Sequence, residues 1–310
     1  MDSREIFLDL IDRERNVYEP AHLHEQRRRN VSEYVSYLRS PEADRSELDH
    51  RGGALVSRSS GKRYPVQADV VNFLDDGGSG DPEWERLNQS FLRYHRSLTT
   101  YTLLNSAPVI NFVSEQSGIG ELRDSRVVDV GGGTGHTLCS FFRHPETIEY
   151  YLVDPNLRLL HDQFIRFYPR LAELRMGHVL AHAEGLPFQD RFADVVVSLS
   201  SIDHFSDHRA FAREAARVLK SEGRVLVSSH LDIPAQGGQG GGRRDKVLSR
   251  SFPERVARYL YYRRHRVGSD DHTLHLKDTS TIEQALEAAG LRIDEVQVFK
   301  RYFFIVATKP

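Results

Sequence analysis

Residues 129–135 read Asp-Val-Gly-Gly-Gly-Thr-Gly and follow an apolar run, which predicts a strand that turns into a ligand-binding loop. Gly131, Gly133 and Gly135 would let the backbone turn sharply and approach a ligand closely, because no Cβ stands in the way. A glycine turn alone is a weak signal, since ordinary strand–helix connections and dinucleotide sites use similar spacing. The loop therefore needs a second, independent indication of its ligand.

A carboxylate supplies that indication, because Asp154 ends the next apolar run, about twenty residues beyond the glycines. An acid at this place commonly accepts hydrogen bonds from ribose hydroxyls. Asp129 adds a negative charge just before Gly131, where it would repel a pyrophosphate and attract a cation. S-adenosylmethionine carries an ammonium and a sulfonium, so the charges favour this methyl donor over a dinucleotide as the cofactor.

Three histidines are candidates for a catalytic base, which methyl transfer to a hydroxyl or an acidic carbon needs within hydrogen-bond reach. His204 follows the fourth predicted strand and His230 the fifth, at the sheet edge where such ligands bind. His272 lies in a polar segment between Asp271 and His275. Each has a structural alternative, as a loop cap or part of a polar turn. No further ligand spacing supports a metal site around His272, so we expect no metal.

Basic and aromatic side chains mingle between residues 250 and 266. The arginines that could bind an anionic substrate are Arg255, Arg258, Arg263 and Arg264. A solvated helix face explains the run equally well, and peripheral contact with an anionic membrane surface stays open. The glycine-rich stretch 236–242 is either the hinge of a lid or a surface loop.

The elements that would position these groups begin near residue 124, where apolar runs alternate with helical patterns. This alternation predicts a mostly parallel sheet with helices on both faces. The predicted strands cover residues 126–130, 149–153, 178–182, 193–199 and 224–229. Helices are predicted over 207–219 and 280–289. Two last runs, 292–299 and 302–308, are so close in sequence that they can pair only as an antiparallel hairpin.

A glycine-rich break at residues 75–80 divides the chain. Residues 1–80 are predicted to form an N-terminal extension of amphipathic helices with a small β-hairpin. Residues 81–310 would form the main domain, with 81–123 as a helical cap and 231–280 as a lid or substrate insertion. The molecule that accepts the methyl group would then be selected by the extension, the cap and the insertion, which surround the sheet.

Composition excludes several classes of protein. The formal net charge of −2 provides no global field that would attract nucleic acid. The single cysteine, Cys139, can build neither a disulfide framework nor a thiolate zinc site. The first residues lack the apolar core of a signal peptide, and no apolar run reaches the roughly 20 residues of a membrane span. We therefore expect a cytoplasmic protein, while its oligomeric state stays open.

With these motifs in order, the sequence resembles the class I S-adenosylmethionine-dependent methyltransferases, in the small-molecule branch that includes the ubiquinone and menaquinone C-methyltransferases. The resemblance covers about residues 124–232. The segments that carry it are 129–135, 153–154, 183–188, 192–198, 202–205 and 216–223. It implies an α/β, Rossmann-like fold with a seven-stranded, mostly parallel sheet and an antiparallel C-terminal hairpin.

Site roles follow from the resemblance by position. It implies that Gly131, Gly133 and Gly135 line the methionine and ribose, that Asp129 faces the ammonium, and that Asp154 holds the ribose. The matching segments also bring Ala183, Glu184 and Ser198 to the cofactor site. At the adenine, family members often carry an acid where this chain has His182, whose neutral imidazole could accept a hydrogen bond instead.

The hairpin before residue 75 resembles the small zinc-ribbon-like module that precedes some of these enzymes. Its usual cysteines are absent, so we expect no zinc and interpret the segment as packing or as a cover for the substrate.

The favoured function is transfer of a methyl group to oxygen or carbon of a small molecule or a glycan or lipid intermediate. A non-catalytic scaffold that binds S-adenosylmethionine is the alternative. A nucleic-acid methyltransferase is less favoured, because Cys139 lies beyond the glycine loop and Ser198-Leu199-Ser200-Ser201 replaces the usual Asn/Asp-Pro-Pro-aromatic segment. An NAD-dependent oxidoreductase is opposed by Asp129 and by the glycine spacing.

Overall fold

The computed structural model describes residues 29–74, 118–133, 142–155, 176–232, 276–299 and 302–310. These residues form one mixed sheet with the strand order β1-β2-β3-β4-β7-β6-β5-β8-β9-β11-β10. The strands are β1 Leu48–Arg51, β2 Ala54–Ser57, β3 Arg63–Gln67, β4 Val70–Asn72, β5 Arg126–Val130, β6 Glu149–Val153, β7 Met176–Leu180, β8 Ala193–Leu199, β9 Leu219–His230, β10 Arg292–Phe299 and β11 Tyr302–Thr308.

The centre of the sheet is parallel, in the order β7-β6-β5-β8-β9. All five residues of β7 are buried, as are the last four of β5 and of β6. Burial on both faces explains why these strands are apolar runs rather than alternating patterns. The predicted bounds of β5, β6 and β8 are confirmed, whereas β7 begins two residues earlier than predicted and β9 extends from residue 219.

The C-terminal end of the sheet is antiparallel. β10 pairs with β11, and β11 returns beside β9 with Phe304 opposite Ser228. The predicted hairpin is therefore confirmed, and with it the α/β, Rossmann-like class. The predicted seven strands correspond to β5–β11, and the N-terminal strands lengthen the sheet beyond that number.

The N-terminal strands continue the same sheet. β1, β2, β3 and β4 form an antiparallel meander, and β4 then pairs parallel with β7, with Val71 opposite Val179. The ladder runs one residue farther, because the Phe73 N–H donates to the Leu180 carbonyl at 2.9 Å. The predicted hairpin thus exists as β2 and β3, and it reaches the parallel sheet through β4.

Three α-helices lie among the described residues. They are α1 Val31–Tyr34, α2 His208–Val218 and α3 Ser280–Ala288. Asp207 caps α2 by accepting from the N–H groups of Arg209 and Ala210. The apolar face of α2 buries Phe211 and Ala215 against the core, which fixes the direction of the loop between β8 and this helix.

Several predicted features lie outside the described residues: the first of the two N-terminal helices, most of the helical cap 81–123, the glycine-rich stretch 236–242 and the arginine run 250–266. The second N-terminal helix is present as α1, followed by a 3-10 turn over Val35–Tyr37. None of the described helices is long and apolar enough to cross a membrane.

Candidate functional site

The candidate site lies at the carboxyl edge of the parallel strands. β5 stands between β6 and β8, so the chain connections leave it in opposite directions. Such a switch point opens a crevice in which α/β sheets bind ligands. The loops that meet there begin at Gly131, Asp154, Ala181, Ser200 and Leu231.

The glycine loop turns immediately after β5. The Gly131 N–H donates to the Val153 carbonyl at 2.8 Å, and Gly131 and Gly133 have φ of +70° and +57°. A Cβ at Gly131 would lie 2.6 Å from the Cβ of Ser201, so both space and backbone conformation require glycine there. At Gly133 no atom of the described residues lies within 4 Å of the Cβ position, so only the backbone conformation disfavours a side chain there as far as these residues go.

The second predicted carboxylate holds this loop. The Gly133 N–H donates to Asp154 Oδ2 at 3.0 Å, across the ends of β5 and β6. Asp154 is itself fixed, since its N–H donates to the Val179 carbonyl at 3.1 Å. The loop and the acid thus form one preorganised unit. A carboxylate has capacity for further hydrogen bonds, so Asp154 can hold the loop and also accept from a ligand hydroxyl.

Asp129 lies beneath the loop rather than on its open side. Its side chain is buried, the Tyr150 hydroxyl donates to its carboxylate, and a Cβ at Gly132 would collide with it. Burial raises its pKa to about 7; the Tyr150 hydrogen bond lowers the pKa and the nearby Asp154 charge raises it. A cation bound above the loop would favour ionisation of this carboxyl group.

Serine side chains join β8 to β5. Ser198 is fully buried, and its hydroxyl lies 2.8 Å from the Ser201 hydroxyl, which donates to the Val130 carbonyl at 3.1 Å. Ser198 therefore contacts the base of the glycine loop through Ser201. Sequence reasoning did not select Ser201, which becomes visible only when its Cβ is found against Gly131.

The loop after β7 carries the remaining predicted cofactor residues. His182 is exposed and Ala183 is buried at the start of a 3-10 turn. Glu184 Oε1 accepts from the Ser206 N–H at 2.7 Å, the Ser206 hydroxyl at 2.8 Å and the Asp207 N–H at 3.2 Å. Glu184 thereby ties this loop to the start of α2.

Two of the three candidate bases lie at this edge, after neighbouring strands. His204 ends a 3-10 turn after β8, with Nε2 4.0 Å from Oδ2 of the buried Asp203. Asp203 in turn accepts from the Ser229 hydroxyl at 2.6 Å. His230 ends β9, and its ring lies 4.1 Å from that of Tyr302. Asp203 is a residue that sequence reasoning missed.

The remaining predicted site residues cannot be placed with these. Gly135, His272 and the arginines Arg255, Arg258, Arg263 and Arg264 lie outside the described residues. Within the described ranges, no group of three or more histidine, cysteine or acidic side chains could hold a metal ion.

The arrangement fits S-adenosylmethionine in two respects. The loop presents backbone without Cβ atoms at its open side, and two acidic side chains lie beneath and beside it. A cationic amino acid with a ribose matches this combination of charge and hydrogen-bond acceptors, whereas a pyrophosphate would be repelled by Asp129 when that group is ionised.

Comparison with known proteins agrees with this assignment. Residues 96–296 match the family described as "Methyltransferase domain". An uncharacterized methyltransferase, YcgJ of Bacillus subtilis, is 35% identical over 107 residues, which are 34% of this chain and 41% of the relative. The 2-methyl-6-phytyl-1,4-hydroquinone methyltransferase of Spinacia oleracea is 36% identical over 105 residues, 34% of this chain and 29% of the relative.

The ubiquinone/menaquinone biosynthesis C-methyltransferase UbiE of Pectobacterium carotovorum is 31% identical over 142 residues, 43% of this chain and 56% of the relative. The chain thus spans between 29% and 56% of the length of these relatives. The crystal structure of YcgJ from Bacillus subtilis, 20% identical, covers 61% of this chain and 94% of its own, with a TM-score of 0.41.

Proposed function

The chain belongs to the methyltransferase domain family, within the class I S-adenosylmethionine-dependent methyltransferases, and from this premise we propose that it methylates oxygen or carbon of a small molecule. The finer proposal includes glycan and lipid intermediates among the acceptors. The proposal depends on the cofactor site, and the main observation that supports this site is the hydrogen bond from the Gly133 N–H to Asp154. This hydrogen bond joins the two predicted cofactor elements into one unit.

In this proposal the glycine loop and the acids hold the methyl donor. Gly131, Gly133 and Gly135 let the backbone approach its methionine and ribose, Asp154 accepts from the ribose, and Asp129 attracts the ammonium from below. The surrounding wall of the site contains Ala183, Glu184 and Ser198. Glu184 is hydrogen-bonded to Ser206, and Ser198 is hydrogen-bonded to Ser201. When bound, S-adenosylmethionine supplies an electrophilic methyl group.

The protein's own residues contribute to the reaction in two ways: they position the methyl donor and the acceptor, and they remove a proton from the acceptor. In-line placement of donor and acceptor and exclusion of water supply most of the rate in such a transfer. A base is needed if the acceptor is a hydroxyl or an acidic carbon. His204 is the favoured base, because the buried Asp203, held by Ser229, places a carboxylate 4.0 Å from its Nε2. His230 and His272 are the competing candidates.

Small-molecule acceptors are favoured by the names of the relatives, one of which is a hydroquinone methyltransferase and another a C-methyltransferase of ubiquinone/menaquinone biosynthesis. An anionic group on the acceptor would pair with Arg255, Arg258, Arg263 or Arg264, a proposal that rests on the sequence alone. The same basic run could contact an anionic membrane surface.

The first experiment is calorimetry of the full chain with S-adenosylmethionine, with its demethylated product and with NAD. We expect saturable binding of the first two and none of NAD. Tight binding of NAD without a response to the other two would overturn the cofactor assignment.

The second experiment follows transfer from donor labelled in its methyl group into a host extract. We expect label in one low-molecular-weight product, which mass spectrometry then identifies. Glu146→Gln, an exposed change outside the site, serves as the control for Asp154→Ala, which we expect to abolish labelling. Cofactor binding without labelling of any extract fraction would instead identify a non-catalytic scaffold.

A further inference from the structure

A short turn beside the predicted cofactor site is held by the N-terminal segment, residues 29–74. It is the 3-10 turn Ala183–Gly185, whose first two residues the proposed function places in the wall of the cofactor site. Leu186 follows the turn, and its carbonyl accepts from Arg45 Nη1 at 3.1 Å. We infer that Arg45 is a positioning residue for S-adenosylmethionine: it fixes this turn before the cofactor arrives and thereby raises the affinity. The inference rests on the proposed function.

A buried carboxylate determines where the Arg45 side chain points. Arg45 Nη2 donates to Glu214 Oε1 at 2.7 Å, and Glu214, on α2, is only 8% exposed. Arg217, three residues farther along α2, donates to the same carboxylate from Nε at 3.0 Å and from Nη2 at 2.8 Å. Two guanidinium groups thus surround one buried negative charge, and charge-assisted hydrogen bonds of this kind fix the orientation of both arginines.

The same two guanidinium groups hold the chain that leaves the turn. Arg217 Nη2 donates to the Leu186 carbonyl at 2.8 Å, beside the bond from Arg45, and Arg217 Nη1 donates to the Phe188 carbonyl at 2.7 Å. Arg217 reaches this chain from α2, whereas Arg45 reaches it from the N-terminal segment. The Leu186 carbonyl is therefore fixed from two sides, and removal of the Arg45 side chain frees one of them.

Backbone hydrogen bonds from the N-terminal segment flank the turn. Before the turn, the Phe73 N–H donates to the Leu180 carbonyl at 2.9 Å. After it, the Arg39 N–H donates to the Pro187 carbonyl at 3.0 Å. Neither bond involves Arg45, so variants at this position keep the docking of the N-terminal segment. What they lose is the side-chain bond to the residue that directly follows the turn.

The backbone of Arg45 indicates that its side chain is the reason for an arginine at this position. Its φ is +49°, in the left-handed region that glycine adopts at lower cost. Local conformation alone would therefore favour glycine. Arg45→Gly removes both the guanidinium group and the strain, whereas Arg45→Ala removes only the guanidinium group. The two variants should lose the same affinity for the cofactor, although the glycine variant should have the higher melting temperature.

Hydrogen exchange of the full chain without cofactor tests the effect on the turn itself. The reporters are the Gly185 N–H, which closes the turn, and the Ser206 N–H, which donates to Glu184. We expect both amides to exchange at least about tenfold faster in Arg45→Ala, because the turn opens more often. The amides of β5 should exchange at the rate of the original chain.

Calorimetry with S-adenosylmethionine measures the consequence for binding. We expect Arg45→Ala and Arg45→Gly to bind roughly tenfold more weakly than the original chain, because the turn must then be ordered on binding. Arg45→Lys keeps a charge beside Glu214 but lacks the fork that also reaches Leu186, so it should lose less than alanine.

Arg58→Ala is the matched control. Arg58 lies in the same N-terminal segment and forms ion pairs with Glu47 and Asp49, neither of which contacts the turn. The control therefore also removes a paired arginine. We expect its affinity for S-adenosylmethionine and its exchange at Gly185 to equal those of the original chain.

Chemical rescue separates positioning from a general loss of structure. Methylguanidinium can enter the space that Arg45→Ala vacates and donate to Glu214 and Leu186. We expect it to restore part of the lost affinity for S-adenosylmethionine, and methylammonium at the same concentration to restore less. Neither cation should change the affinity of the original chain or of Arg58→Ala.

Four results would each overturn the proposal: undiminished affinity in Arg45→Ala, an equal loss in Arg58→Ala, unchanged exchange at the turn, or no recovery with methylguanidinium. A failure of the original chain to bind S-adenosylmethionine would instead overturn the proposed function, and with it the cofactor role of Arg45. Faster exchange in Arg45→Ala would in that case still show that Arg45 holds the turn, so the two failures are distinguishable.

Discussion

The Gly133 N–H donates to Asp154 Oδ2 at 3.0 Å, so the acid that ends β6 fixes the loop that follows β5. The two residues belong to separate sequence motifs, and the parallel pairing of β5 with β6 brings them together. A cofactor site needs a loop that keeps its shape before the ligand arrives, because ordering it on binding would weaken affinity. Asp154 therefore acts as part of the loop as well as a ligand for ribose.

The role of Asp154 predicts a graded mutational series. Asp154→Asn keeps an oxygen that can accept from Gly133 but removes the charge, whereas Asp154→Ala removes both. We expect the alanine variant to bind S-adenosylmethionine at least about tenfold more weakly and the asparagine variant to lose less. Calorimetry measures both, with Glu146→Gln as the control. Equal affinities of the alanine variant and the control would contradict the prediction.

The neighbours of Gly131 and Gly133 predict different costs for the same substitution. Gly131→Ala meets Ser201 and adopts an unfavourable φ, whereas Gly133→Ala has only the φ to overcome. We expect Gly131→Ala to lower the free energy of unfolding by about 1 to 3 kcal/mol and Gly133→Ala by less. Denaturant unfolding measures the difference.

A second substitution separates collision from backbone strain at Gly131. Ser201→Gly removes the Cβ that lies 2.6 Å away but also the hydroxyl that bonds Val130, so it has a cost of its own. Gly131→Ala combined with Ser201→Gly should therefore cost less than the sum of the two separate changes. Strictly additive effects of the two changes would show that the collision is absent.

The sequence predicted the strands that are buried on both faces, because continuous apolar runs mark such strands. The predicted ends of β5, β6, β8, β10 and β11 agree with the structure. β1 was missed, since Leu48-Asp-His-Arg51 buries only its first residue fully and its polar composition resembles a loop. Its strand character comes from pairing with β2, which is a tertiary contact.

Only those parts of the site that belong to a single sequence motif could be predicted. Glycine spacing and Asp154 could be recognised along the chain. The contact of Tyr150 with Asp129 depends on the register of β5 against β6, and the contact of Ser201 with Gly131 depends on the crossover to β8. Pairing between β4 and β7 likewise depends on residues more than a hundred positions apart, which no local pattern encodes.

The buried Asp129 predicts that stability depends on pH. Its folded pKa of about 7 exceeds the ordinary value of 3.8, so the folded state holds a proton that the unfolded state releases. This stability is fully present below pH 3.8 and is lost as the pH rises through 7. Between pH 6 and pH 8 the melting temperature should therefore fall more for the original chain than for Asp129→Asn. Parallel curves would contradict the raised pKa.

The same carboxyl group predicts that cofactor affinity depends on pH with the opposite sign. A cationic ligand binds better when Asp129 is ionised, so affinity for S-adenosylmethionine should rise from pH 6 to pH 8 and protons should be released on binding near pH 7. Calorimetry in buffers of different ionisation enthalpy measures the release. Asp129→Asn should abolish the dependence, and proton uptake instead of release would contradict it.

The candidate bases predict a separation between binding and transfer. Single alanine substitutions of His204, His230 and His272 should leave affinity for S-adenosylmethionine unchanged, while one of them abolishes labelling of the acceptor. We expect that one to be His204, because Asp203 lies 4.0 Å from its Nε2 and is itself held by Ser229. Asp203→Asn should then shift the pH profile of transfer and lower its rate by about 10²-fold or more, and Ser229→Ala should have a smaller effect in the same direction. Full activity in all three histidine variants would instead mean that placement of donor and acceptor alone drives the reaction.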